Sequence, residues 1–208
     1  MKARVKNQDL HGNVPDSSPI VLIFIDVINA FEFEGAEPIF SNSLAIAGAI
    51  QALKKRAKQA GVPVLYVNDN FGKWQSDFRK LLEHCLEDDV KGKPIAELLK
   101  PDDDDYFVLK PKHSGFYSTT LDVLLDYLQA KTLILAGVTA NICVLFTAND
   151  AYMRDFHLCV PSDCVASESD EVNRYALEQI ATVLKADTRP STEIDFEALA
   201  SERDQTKY

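Results

Sequence analysis

Short, almost wholly apolar runs alternate along this chain with stretches whose apolar residues recur at helical spacing. The first run, Ile20-Val-Leu-Ile-Phe-Ile25, has no polar member, the pattern of a strand buried on both faces. Similar runs at 62–67, 105–109, 132–136 and 157–160 predict further strands. Between them the spacing predicts helices over about 42–60, 118–130, 141–154 and 169–182, and helical pieces within 75–100. Ala60-Gly61-Val-Pro63 reads as a helix stop directly before a strand, and Ser118 is placed to cap the helix carrying Leu121, Leu124, Leu125 and Leu128. Regular βα alternation predicts an α/β fold, a mostly parallel sheet covered by helices on both faces.

Length and composition narrow this further. A chain of 208 residues that is 46% hydrophobic can bury one sizeable core, which favours a single domain. Residues 1–18 are polar and without periodicity and read as a flexible N-terminal arm; 188–208 read as a C-terminal tail that caps a neighbour or is disordered. A net charge of -10 argues against nucleic-acid and anionic-membrane partners, which call for a basic face. The longest apolar run is far too short to span a bilayer, and no signal-peptide pattern opens the chain. Four cysteines without C-x-x-C spacing fit reduced thiols in a cytoplasmic protein.

Reactive side chains fall where ligands of open α/β sheets bind, outside the carboxyl ends of the strands. Asp26 ends the first run, Lys110 follows Tyr106-Phe-Val-Leu109, and Cys143 lies just past Leu133-Ile-Leu-Ala-Gly137. Cys143 sits at a strand-to-helix turn, where backbone N–H groups and the helix dipole favour a thiolate. Cys159 reads as strand core, Cys164 follows a turn, and Cys85 lies in a helical stretch among charged residues. Lys112 competes with Lys110 for the role of cation. The histidines (His11, His84, His113, His157) are scattered and form no metal-ligand cluster, and the acidic run Asp102 to Asp105 lacks the alternating ligands of a calcium loop.

Three segments together resemble the isochorismatase-like cysteine hydrolases: Ile23-Phe-Ile-Asp26 with Phe31, Val108-Leu-Lys110-Pro111-Lys-His-Ser114-Gly-Phe116, and Gly137-Val-Thr139-Ala-Asn-Ile-Cys143-Val continuing to Thr147-Ala and Asp150-Ala151. The resemblance spans 19–187. It implies a Rossmann-like three-layer α/β/α fold with a six-stranded parallel sheet, its last strand near Thr182 to Ala186, and an Asp26–Lys110–Cys143 triad acting as base, cation and nucleophile. It also implies a cis peptide between Val138 and Thr139, oxyanion donors at the Thr139 and Cys143 N–H groups, and a homo-oligomer. The expected reaction is hydrolysis of a C–N bond in a small amide, ureido or carbamoyl compound through a thioester, with no cofactor and no metal.

Departures qualify the picture. Many family members carry Gln two residues after the aspartate, where this chain has Ile28. The segment Tyr66-Val-Asn68-Asp69-Asn70-Phe71-Gly72-Lys-Trp74 lacks the histidines with which nicotinamidases of the family hold a metal, so nicotinamide is disfavoured. Phe31, Asn68, Phe71, Trp74 and Phe116 are candidates for the pocket wall, while Asn68, Asp69 and Asn70 read equally well as a simple loop. Two alternatives stand beside the amidohydrolase: isochorismatase-type vinyl-ether hydrolysis, which needs no nucleophile, and a non-catalytic or redox-responsive scaffold.

Overall fold

A computed structural model describes residues 17–71 and 77–201. Almost all of the proposed arm 1–18, together with Trp74, lies outside them.

The strands are β1 (Ile20–Ile25), β2 (Val64–Asp69), β3 (Tyr106–Lys110), β4 (Thr132–Val138), β5 (His157–Cys159) and β6 (Val165–Ala166). They form one six-stranded parallel sheet in the order β3-β2-β1-β4-β5, with β6 pairing the last residues of β4 beyond the end of β5. β1 and β4 are central and buried throughout, as their continuous apolar sequences require. Helices α1 (Ala36–Gln59), α2 (Phe78–Glu87), α3 (Lys93–Leu99) and α7 (Phe196–Ser201) cover one face, where Leu22, Phe24, Tyr66 and Ala136 point. Helices α4 (Leu121–Leu128), α5 (Leu145–Tyr152) and α6 (Asp170–Thr182) cover the other, over Ile23, Ile25, Val67 and Leu135. Alternation of side chains along each strand thus fills two separate cores.

Several boundaries differ from the sequence expectation. Helix α1 begins at Ala36 rather than near 42, because Gly35 at φ 78 turns the chain in and Pro38 falls within the first turn, where its missing N–H costs nothing. Ser118 does not cap α4: it adopts φ 53, and Thr119 Oγ1 instead accepts from Leu121 N at 3.2 Å. The sixth strand is not at 182–186. Helix α6 runs to Thr182, and this stretch reaches the sheet only at Asp187, whose N–H donates to the Leu158 carbonyl at 2.9 Å beside a single bridge to Cys159. Two-residue β6 takes the sixth place. Residues beyond 187 also pack on their own chain: Ile194 and Phe196 are buried in the α1 core, and Arg56 donates to the Ser191 and Ile194 carbonyls. Cys85 is fully buried, despite its charged sequence neighbours.

Strand order reverses between β1 and β4, which opens a crevice at their carboxyl ends. Gly137, at φ 124, lets β4 lie against β1 there, since an added Cβ would stand 2.0 Å from the Ile25 carbonyl oxygen. Gly137→Ala is therefore expected to cost at least about 4 kcal/mol, a fall in Tm of roughly 8–16 °C for a chain of this size, readable in a thermal melt. A melt within about 2 °C of wild type would show the approach to be less tight than described.

Candidate active site

The crevice gathers three reactive groups, from the ends of β1 and β3 and from the turn that follows β4. Asp26 follows β1 with its backbone at φ 53, a left-handed conformation that Asp tolerates better than most residues and that turns the chain sharply at the strand end. Lys110 closes β3 and is wholly buried; its Nζ lies 2.8 Å from Asp26 Oδ2 and 3.5 Å from Cys143 Sγ. Cys143 lies in a π-helical turn, Ala140–Val144, that leads directly into α5, and is the one cysteine not fully buried among the described residues. The peptide between Val138 and Thr139 is cis.

Neighbouring polar groups hold the turn in place. Thr147 Oγ1 donates to the Cys143 carbonyl at 2.7 Å and accepts from Gly115 N at 3.0 Å, tying the Cys143 turn to the loop after Lys110. Ser167 Oγ donates to Asn141 Oδ1 at 2.9 Å from the β6 side. Ser114, in the lysine loop, is bonded to Asp150 of α5. The four-residue spacing of Cys143 and Thr147 was a usable signal, because hydroxyls one turn on often bond the preceding carbonyl.

Asp69 is a residue whose sequence context reads equally as orienting substrate or as forming the loop after the second strand. It is the last residue of β2, in register with Lys110, and its Oδ2 lies 3.4 Å from Lys110 Nζ. Its backbone N–H donates to Asp26 Oδ1 at 2.6 Å, so the Asp26 carboxylate is held on both oxygens. Lys112 is exposed and takes no part.

The proposed pocket aromatics are dispersed. Phe31 is buried at φ 56, packs edge-on against Phe40, and lines an apolar cavity of about 10 Å³ with Val27 and Val138. Phe116 is core: its ring meets Phe156 and lies under the Arg154 guanidinium. Asn68 is fully buried and donates to the Ile28 carbonyl at 2.7 Å, bracing the loop after β1 rather than facing solvent. Phe71 is 44% exposed, and its N–H donates to Asp69 Oδ1 in a tight turn at the rim.

Burial sets the charges. It pushes the Asp26 carboxyl above the usual carboxylate range, against the pull of Lys110. Burial alone would lower Lys110, but Asp26, the Cys143 sulfur and Asp69 raise its proton affinity above that of an ordinary lysine. Burial and then the Asp26 charge push the Cys143 thiol up to about 12, and Lys110 offsets only part of this. The pull of the lysine and the helix start toward the thiolate is thus opposed by burial and by Asp26, because the lysine charge is engaged by carboxylates.

Among the described residues, the one cluster of three metal-ligand side chains is Asp102, Asp104 and Asp105. It sits before the amino end of β3, away from the crevice, and is neutralised by Lys54 and Lys58. No described helix is long and apolar enough to cross a membrane.

A parallel α/β/α sandwich thus brings an acid, an amine and a thiol together at its switch point. Residues 21–188 match the model of the isochorismatase domain, and the chain belongs to that family of hydrolases. It is 43% identical over 173 residues to the uncharacterized isochorismatase family protein YaaI of Bacillus subtilis (strain 168), covering 83% of this chain and 94% of that one. Ureidoacrylate amidohydrolase RutB of Methylobacterium radiotolerans is 28% identical over 200 residues, covering 80% and 75%. The crystal structure of N-carbamoylsarcosine amidase from Thermoplasma acidophilum superposes with a TM-score of 0.67 at 27% identity, covering 86% of this chain and 99% of that one.

Proposed function

We propose that the protein hydrolyses a C–N bond of a small amide, ureido or carbamoyl compound through a thioester on Cys143. The observation that supports this reading most is the shared ammonium: Lys110 Nζ bonds the Asp26 carboxylate at 2.8 Å and reaches the Cys143 sulfur at 3.5 Å. With a high-affinity proton on sulfur and an acceptor whose own affinity burial has raised, the proton passes from Cys143 to Asp26 as the thiolate attacks the substrate carbonyl. The Thr139 and Cys143 N–H groups are the proposed donors to the oxyanion, each such donor contributing about 2.7–4 kcal/mol in comparable sites. Asp26 then delivers its proton to the leaving nitrogen, and the thioester forms. A water replaces the amine, gives a proton to Asp26 as it attacks the thioester, and the proton returns to sulfur with release of the acid. Relatives named as amidases of ureido and carbamoyl compounds support the choice of bond.

The test is a panel of primary amides, ureido acids and carbamoyl amino acids, assayed for ammonia release beside a vinyl ether of the isochorismate type. Turnover of at least one nitrogen compound is expected. Cleavage of the vinyl ether alone would replace the proposal with proton-initiated ether hydrolysis.

A further inference from the structure

The lysine ammonium has three N–H bonds and, within the site, three acceptors. Lys110 Nζ faces Asp26 Oδ2 from the end of β1 at 2.8 Å, Asp69 Oδ2 from the end of β2 at 3.4 Å, and Cys143 Sγ from the π turn at 3.5 Å. A tetrahedral ammonium tied at two carboxylates has one direction left, and that direction is the sulfur. Asp69 is itself pinned: its Oδ1 accepts from Phe71 N at 2.6 Å, and register places it opposite Lys110 across the β2–β3 ladder. Its side chain is 28% accessible, whereas Lys110 is sealed, so Asp69 is the rim-side member of the group.

We propose that Asp69 is a positioning residue, a second carboxylate that orients the Lys110 ammonium toward Cys143 and shares its charge with Asp26. It acts through the lysine and not on the reacting atoms. The inference rests on the triad reading above and extends it to a fourth member. Without the Asp69 charge, Lys110 has only Asp26 to neutralise it. Its positive field then acts more strongly on Asp26 and on the sulfur: the base binds its proton less tightly, and the thiolate becomes more stable and less nucleophilic. The titratable groups that face Lys110 at bonding distance are Asp26 from the end of β1, Asp69 from the end of β2 and Cys143 from the π turn.

Two substitutions separate charge from shape. Asp69→Asn keeps the side-chain volume and the bond to Phe71 N but removes the charge; Asp69→Glu keeps the charge but lengthens the arm and disrupts the turn. Cys143 is read by the rate of iodoacetamide labelling of its own peptide across pH 7–10, which requires no substrate. Labelling in Asp69→Asn is expected to rise several-fold at a given pH, up to about tenfold for a shift of one unit, with Asp69→Glu returning toward wild type. On any compound that is turned over, Asp69→Asn should lower kcat by about tenfold, move the acid limb of the profile to lower pH, and leave KM within about twofold. A labelling profile for Asp69→Asn that superimposes on wild type overturns the proposal, as does Asp69→Glu being the only impaired variant, which would reduce Asp69 to a turn residue. If no compound is turned over by wild type, the triad reading fails on that assay alone, while labelling still decides the role of Asp69.

Discussion

Replacing Cys143 by alanine is expected to abolish C–N hydrolysis, lowering kcat by about 10⁴-fold or more, because the proposed reaction passes through an acyl group on this sulfur. Stability should change by less than about 1 kcal/mol, since the thiol is only partly buried and loses one weak contact with Lys110. The comparison is informative because the competing chemistry predicts the opposite. Vinyl-ether hydrolysis needs a proton from Asp26 and no nucleophile, so a variant without sulfur would keep most of its rate. Steady-state kinetics on the purified variant, with a melt to confirm folding, distinguish the two.

The second large effect is expected at Lys110. Its ammonium is completely buried and neutralises Asp26, so Lys110→Met leaves a carboxylate without its partner. Breaking such a pair costs about 3–5 kcal/mol at neutral pH, and the lost field on the developing charges should reduce kcat by roughly 10³-fold. The stability loss carries a pH signature. In the wild-type protein burial already raises the proton affinity of Asp26, against the pull of Lys110, and removing the lysine raises it further. A carboxyl whose folded pKa lies above its unfolded value of about 3.9 stabilises the fold fully only below that unfolded value and loses the contribution as pH rises through the folded one. The gap in Tm between Lys110→Met and wild type should therefore be narrow near pH 4–5 and widest near pH 8. A gap that widens on acidification would mean that Asp26 is not the group left exposed to the loss.

What could be read in advance, and what could not, follows from how far each feature depends on distant residues. β1 and β4 were legible because six and seven consecutive buried residues leave an uninterrupted apolar run. Asp26, Lys110 and Cys143 were legible because each stands at or just past the end of such a run, and chain direction in a parallel sheet brings all those ends to one edge. Asp69 was not. Asn68-Asp69-Asn70 has the composition of a turn, and only the pairing with Leu109 and Lys110 on the neighbouring strand carries β2 through Asp69. β6 has two residues, too few to carry a period, and its place was assigned to a later segment whose apolar residues instead finish α6 and the turn behind it. The raised proton affinity of Cys143 was likewise out of reach: local sequence offers a helix start and a lysine, both favouring the anion, while burial and the carboxylates engaging that lysine come from elsewhere in the chain.

The pocket aromatics teach the same point from the other side. Phe31 and Phe116 lie within the recognisable segments, yet both rings are buried in the core, one in each layer. Side chains that recur near a reactive group in sequence can serve the packing that holds its backbone in place.

The central claim is that the Cys143 sulfur becomes acylated during turnover. Acid quenching of the enzyme while it consumes an amide or ureido substrate, followed by peptide mass analysis, tests this directly. The account predicts an acyl mass on the peptide bearing Cys143, removed by hydroxylamine and missing from Cys143→Ala; continued turnover by Cys143→Ala, with no adduct on the wild-type peptide, would contradict it.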